Sequence, residues 1–195
     1  EFLRPLEHPE QITIRGGPRR GQTRILRHRR LLCGELKALA ETEHGHKLTL
    51  RHFPRPIFLS DDLAADLSRR FPAPFSSRRG PTARRVVLAL IEGTPRGHLR
   101  LVNAAVMLTT DVYIPVDSSH ELTMANALIA AQRGFRKPLR YDHDEAGLPD
   151  FVLTDLITNG GTAESNGPAA VIEVWGVANS RTYEQRKLAK LARYK

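Results

Sequence analysis

At 195 residues, 41% of them hydrophobic, the chain is long enough for one or two domains and can bury a real core. Thirty Lys and Arg against 21 Asp and Glu give a net charge of +9, which draws polyanions, above all nucleic acid, through phosphate contacts and counterion release. The single cysteine, Cys33, excludes an internal disulfide and a zinc site built from cysteines, as fits a reducing cytoplasm. No apolar run approaches the ~20 residues of a spanning helix, and the N-terminal EFLRPLEHPEQ has no signal-peptide core. The expectation is a cytoplasmic protein without a membrane partner.

In chain order, residues 1–56 read as a basic arm. No acid falls between Gln11 and Gly34, whereas Arg15, Arg19, Arg20, Arg24, Arg27, Arg29 and Arg30 all do. Those seven arginines are the candidate nucleic-acid contacts. RGGPRRGQ reads as a loop, and TRILRHRRLLCGELKALAETE as a helix starting near Thr23, with Ile25, Leu32, Leu36 and Leu39 packed on the body. FLSDDLAADLSRRF predicts a further helix, with Ser60 as its N-cap and Asp61 and Asp62 at the positive end of the dipole. RRVVLALIEG and HLRLVNAAVMLTT, separated by TPRG, predict a β-hairpin, and VYIPV a short third strand.

From Asp117 the pattern changes. A serine, Ser118 or Ser119, caps HELTMANALIAAQRG, whose buried stripe is Leu122, Ala125, Leu128 and Ile129 and which Gly134 ends. RKPLRYD, DFVLTD and AAVIEVWG are three candidate strands. SRTYEQRKLAKLARYK is a basic helix capped by Ser180. The order is α-β-β-β-α, with TNGGTAESNG as a loop.

Within that order Asp150 begins one strand, after Pro149, and Glu173 sits inside the next. Hydrolysis of a phosphodiester at neutral pH uses a hard cation, Mg2+ or Mn2+, held by carboxylates that converge from rigid elements. Two neighbouring strands supply such a support. The bland alternative is that Asp150 caps a turn and Glu173 pairs with a surface arginine. Against it, a carboxylate in so apolar a run is costly unless something cationic answers it. HGH at 44–46 with His52, and YDHDE at 141–145, are weaker metal candidates.

IPVDSSHE, RGFRKPLRYD, PDFVLTD and IEVWG followed by Y and RK resemble the PD-(D/E)XK nuclease superfamily. More narrowly, they resemble an uncharacterised bacterial family associated with plasmids and other mobile elements. The resemblance covers residues 80–195 and implies an α/β (α+β) protein: a PD-(D/E)XK-like core around a mixed sheet, preceded by a basic region, residues 1–79. It implies a metal-dependent DNA endonuclease with Glu121, Asp150 and Glu173 as the metal-site acids. The superfamily's lysine, two residues after the second strand's acid, is here Trp175. Lys137 on the first strand, or Lys187 and Arg186 on the last helix, are the candidate replacements. A non-catalytic nucleic-acid-binding or assembly module on a degenerate nuclease fold is the alternative.

Overall fold

The computed structural model describes residues 10–13, 15–26, 28–80, 82–139, 149–155, 170–176, 185, 187–188 and 192. The protein is α+β and divides into two compact units, Glu1–Thr109 and Thr110–Lys195. The hairpin expected just beyond residue 80 is therefore part of the first unit.

In that unit β1 (Glu10–Thr13) and β2 (Thr23–Leu26) form an antiparallel ribbon. Arg15, Arg19 and Arg20 stand exposed at its tip, where Gly17 and Gly21 take positive φ. The helix expected from Thr23 is not there. In its place are β2 and the long strand β3 (Arg29–Thr42). Leu, Ala, Lys and Glu favour a helix only weakly, by a few tenths of a kcal/mol each, and tertiary pairing overrides such a preference. Here β3 is paired along both edges, with β4 (Gly45–Leu50) and with β6 (Arg84–Gly93). A register shift between Leu36 and Ala38 lets Leu36 and Leu39 both contact the core, and that spacing is what imitates a helical stripe.

The strands of this unit run in the order β5-β4-β3-β6-β7, where β5 is Ile57–Leu59 and β7 is Leu99–Thr109. A parallel pairing of β5 with β7 joins the two ends of the order into a closed barrel. The alternation of each strand sends one set of side chains inward. Leu48, Ile57, Val87, Ala89, Ile91 and Leu99 are all at most 2% exposed and fill the centre. Gly45 begins β4 at φ +121°, and a Cβ there would lie 2.5 Å from the Leu59 carbonyl oxygen. Glycine is what lets the two strands approach at that point.

The expected hairpin is present as β6 and β7, and its turn carries Gly97 at φ +77° with Gly97 N–H donating to Thr94 O at 2.9 Å. Also as expected, α1 (Asp61–Arg70) starts at Ser60, whose hydroxyl accepts from Leu63 N–H at 3.4 Å, and buries Ala64 and Leu67 against the barrel. A single turn, α2 (Pro72–Phe75), follows.

The second unit opens with a turn at residues 110–114 and a two-residue strand, β8 (Pro115–Val116), shorter than the VYIPV expected. Ser118 caps α3 (Ser119–Ala130), which buries Leu122, Ala125 and Leu128. The helix ends four residues before the glycine expected to stop it, and Gln132 takes the left-handed conformation at φ +53°. Gly134 serves packing instead, since a Cβ there would come to 3.0 Å from Thr154 Oγ1. Three short strands, β9 (Phe135–Arg136), β10 (Phe151–Leu153) and β11 (Val171–Ile172), form a sheet in the order β11-β10-β9. All of its pairings are antiparallel, so among the described residues it is not the mixed sheet expected. Of the last expected helix, Gln185, Lys187, Leu188 and Ala192 are described, and each is helical.

Candidate functional site: a carboxylate–lysine cluster

Asp150 immediately precedes β10, and Glu173 immediately follows β11. The register pairs Phe151 with Ile172 and Val152 with Val171, and one further step sets Asp150 across from Glu173. The hairpin thus places two carboxylates at the same end. Asp150 is fixed there because its Oδ2 accepts from Val174 N–H at 2.7 Å.

Lys137 follows β9 and precedes Pro138, which holds its backbone extended. Its Nζ reaches Glu121 Oε2 at 2.6 Å and lies 3.9 Å from Asp150 Oδ1, with only 8% of the side chain exposed. Its ammonium also stands 5.1 Å from the centroid of the Phe151 ring, a favourable cation–π placement. The apolar stem and the aromatic floor take Lys137 out of solvent and leave its charge facing the acids.

Glu121 is held from both sides. Its Oε2 accepts from Asp117 N–H at 3.1 Å, and its Oε1 accepts from the Ser118 hydroxyl at 3.4 Å. Ser118 in turn accepts from Glu121 N–H at 3.1 Å, closing a near-reciprocal capping box at the start of α3. The residue that caps the helix is therefore the one that aims a carboxylate at Lys137.

Electrostatics distinguish the cluster from an ordinary ion pair. Burial pushes the Asp150 carboxyl above its usual range, the Val174 N–H opposes this, the Glu121 and Glu173 charges add to the rise, and Lys137 opposes it. Glu121 and Asp150 thus bear on one lysine, and the Glu173 charge bears on Asp150. Among the described residues no three His, Cys, Asp or Glu side chains are grouped so as to hold a metal ion. The donors are nevertheless all hard carboxylate oxygens. They suit a hard divalent cation by type, with Asp150 and Glu173 at one end of the hairpin and Glu121 already held by the Asp117 N–H, the Ser118 hydroxyl and Lys137.

Trp175 stands where the nuclease resemblance would put a lysine, and Lys187 Nζ lies 5.6 Å from its ring centroid. Of the candidate replacements, Lys137 meets the acids and Lys187 packs on the tryptophan, while Arg186 lies outside the described residues. His120 was not among the residues expected at the site. It is exposed, and its ring packs on Gly176, where a Cβ would come within 2.5 Å of Cδ2. Its only signal in the sequence is its place beside Glu121. At the other end of β10, Arg133 grips Asp155 through Nε–Oδ2 at 2.5 Å and Nη2–Oδ1 at 2.9 Å. That hydrogen-bonded pairing holds the Asp155 carboxyl at about 2.

In the first unit, the candidate nucleic-acid arginines do not form one group. Arg15, Arg19 and Arg20 are exposed on the ribbon tip. Arg29 stands 3.5 Å from the buried Glu92, and Arg30 donates to the Arg29 carbonyl. The Arg24 side chain and Arg27 lie outside the described residues. His46 of the HGH motif contacts Asp61 at 2.9 Å, and YDHDE lies outside the described residues.

The fold and the cluster define a two-unit α+β protein: a small barrel with a basic ribbon, and a short antiparallel sheet carrying acids around a lysine. Its sequence matches, over residues 19–190, the family described as "Protein of unknown function (DUF1173)", and the chain belongs to that family. No curated protein and no solved structure matches it. No helix among the described residues is long and apolar enough to cross a membrane.

Proposed function

We propose that this protein is a metal-dependent endonuclease acting on DNA, with its reacting centre at Asp150, Glu173 and Lys137. The observation that carries this reading is Lys137, almost buried, with its ammonium between Glu121 and Asp150. A lysine that served only to neutralise a pair would need one acid. Here two acids, Glu121 and Asp150, share it, which favours a further cation at the centre. Asp150 and Glu173 would hold Mg2+ or Mn2+, and the bound ion would supply a Lewis acid toward a phosphodiester oxygen. Lys137 places a fixed positive charge where negative charge develops on the phosphate, in a partly water-excluded site where it counts for more than in solvent. Glu121 is a positioning residue: anchored by Ser118 and the Asp117 N–H, it holds the Lys137 ammonium in place. In this reading the lysine has moved from the second acid's strand to the strand preceding Asp150.

The test is incubation of the protein with supercoiled plasmid and with single-stranded DNA, each with Mg2+, Mn2+ or EDTA. Asp150→Ala serves as the control. Metal-dependent cleavage by the wild type and none by the variant is the expected result. A second reading, a nucleic-acid-binding module on a degenerate nuclease fold, is favoured by Trp175 in the usual lysine position. Binding of DNA without cleavage under every metal condition decides for it.

A further inference from the structure

The start of β6 carries two neighbouring arginines that are answered differently. Arg84 faces outward and donates through Nη1 to Glu35 Oε2 at 3.1 Å. Arg85 falls on the other side of the strand, in step with Val87 and Ala89, which are 0% exposed and fill the barrel. The register sets it against Leu108 of β7, which is also buried. Its stem therefore runs into the end of the barrel, and the residue is half-buried. No carboxylate meets it there. Among the described residues the Arg85 guanidinium has no ion pair and no hydrogen bond.

A second unanswered cation stands beside it. The 3-10 turn Ser77–Arg79 packs on α2, which packs on β7, and only four residues separate Arg79 from Arg84. Arg79 Nη1 donates to the Ser76 carbonyl at 3.1 Å, and among the described residues no acid pairs with it. Burial holds the Arg85 guanidinium below its usual range, and the Arg79 charge adds to that. Elsewhere in this unit Arg29, Arg51, Arg84 and Arg100 all lie against glutamates, and Arg70 against Asp66. Two guanidiniums brought together away from any acid, one of them half out of water, cost free energy until an anion joins them. The turn beside them is open: Gly80 takes φ +74°, and a Cβ built on it would meet nothing within 4 Å.

We propose that Arg79 and Arg85 form an anion site, at the end of the barrel where β6 begins, that takes the phosphate group of a phosphate monoester. A guanidinium offers N–H donors in a planar fork that matches two oxygens of a phosphate. Two such forks suit the roughly −1.5 to −2 charge of a monoester near pH 7 better than the single charge of a backbone diester. Monoesters stand at the 5′ ends of nucleic-acid strands and on small phosphorylated molecules, and the same chemistry recognises both. The site shares no residue with the carboxylate–lysine cluster and is independent of the nuclease reading.

The experiment is thermal unfolding of the full chain, with EDTA, in sodium phosphate and in sodium chloride of equal ionic strength. At a Kd on the order of 3 mM, about 10 mM phosphate should raise the wild-type midpoint by roughly 2–4 °C over chloride. Arg85→Gln and Arg79→Gln should each lose that shift, and Arg96→Gln, on the exposed β6–β7 turn, should keep it. In chloride Arg85→Gln should unfold no earlier than the wild type, because the change removes a charge that no acid offsets. Anisotropy with a labelled oligodeoxythymidine of about 12 nucleotides, with and without a 5′-phosphate, separates the two sources. Several-fold tighter binding of the phosphorylated strand, lost in Arg85→Gln, assigns the site to strand ends. Equal binding of the two strands beside a retained thermal shift assigns it to small phosphorylated molecules. The proposal is overturned if phosphate stabilises no more than chloride, if both variants keep the wild-type shift, or if Arg85→Gln is destabilised in chloride.

Discussion

The two units bury charge in opposite ways. In the barrel Glu92, 2% exposed, lies between Arg29 and Arg100, and Glu35 between Arg51 and Arg84. Each of these acids, Glu92 buried and Glu35 half-buried, has two cations, and the guanidinium groups reach solvent at the rim. In the second unit one almost buried lysine answers Glu121 and Asp150, with the Glu173 charge bearing on Asp150 as well. A buried acid with two exposed arginines is satisfied and ties strands together. A buried lysine shared by two acids reverses that ratio. The first pattern is structural, and the second is the one on which the proposed function rests.

Lys137→Met puts that contrast under the greatest strain. The proposed role gives a fall in metal-dependent cleavage of about 10²–10³-fold, the usual effect of removing one transition-state charge or donor. Lys187→Met should leave the rate within about twofold, as an ordinary surface change does. Single-turnover cleavage compares them, and equal rates for Lys137→Met and wild type would remove Lys137 from the site.

Next in size is Glu92→Ala. Stripping the acid from Arg29 and Arg100 should cost about 1–3 kcal/mol in urea unfolding, less than for a fully buried pair because both arginines can turn to solvent. No effect would show that the barrel's ion pairs are ornamental and would erase the contrast between the units.

A smaller effect concerns the ribbon. Replacing Arg15, Arg19 and Arg20 with Gln should reduce the salt slope of DNA binding by about one unit for every phosphate that is no longer neutralised. Base preference should stay the same. An unchanged slope would confine nucleic-acid binding to other surfaces.

The smallest is Asp155. Its carboxyl, held at about 2 by Arg133, should titrate there by carbon-detected NMR and return to the ordinary range in Arg133→Ala. Its folded pKa is depressed, so its contribution to stability is present above the unfolded value and is lost as pH falls toward 2. The pair is open to solvent, which keeps that contribution small. Asp155 tests whether exposed pairs in the second unit behave as ordinary surface charges beside the Lys137 cluster.

The features legible from the residues alone are local ones. Ser60, and the pair Ser118 and Ser119, marked two helix starts because a cap is an interaction over three residues; the structure makes Ser118 the second cap. TPRG between two apolar runs marked a hairpin for the same reason. Asp150 and Glu173 were legible as acids of two successive strands, although Glu173, expected inside the second, follows it, and Glu121 was legible as an acid in the first turn of a helix. The long strand Arg29–Thr42 was not legible, since its residues favour a helix in isolation and only pairing along both edges, with a register shift at Leu36, makes it a strand. The barrel depends on Ile57–Leu59 meeting Leu99 and Arg100 across some forty intervening residues, which no local pattern encodes. The choice among Lys137, Lys187 and Arg186 was likewise tertiary. A lysine's reach is set by strand register and by the burial of its stem, and here both direct Lys137 to Glu121 and Asp150 while Lys187 rests on Trp175.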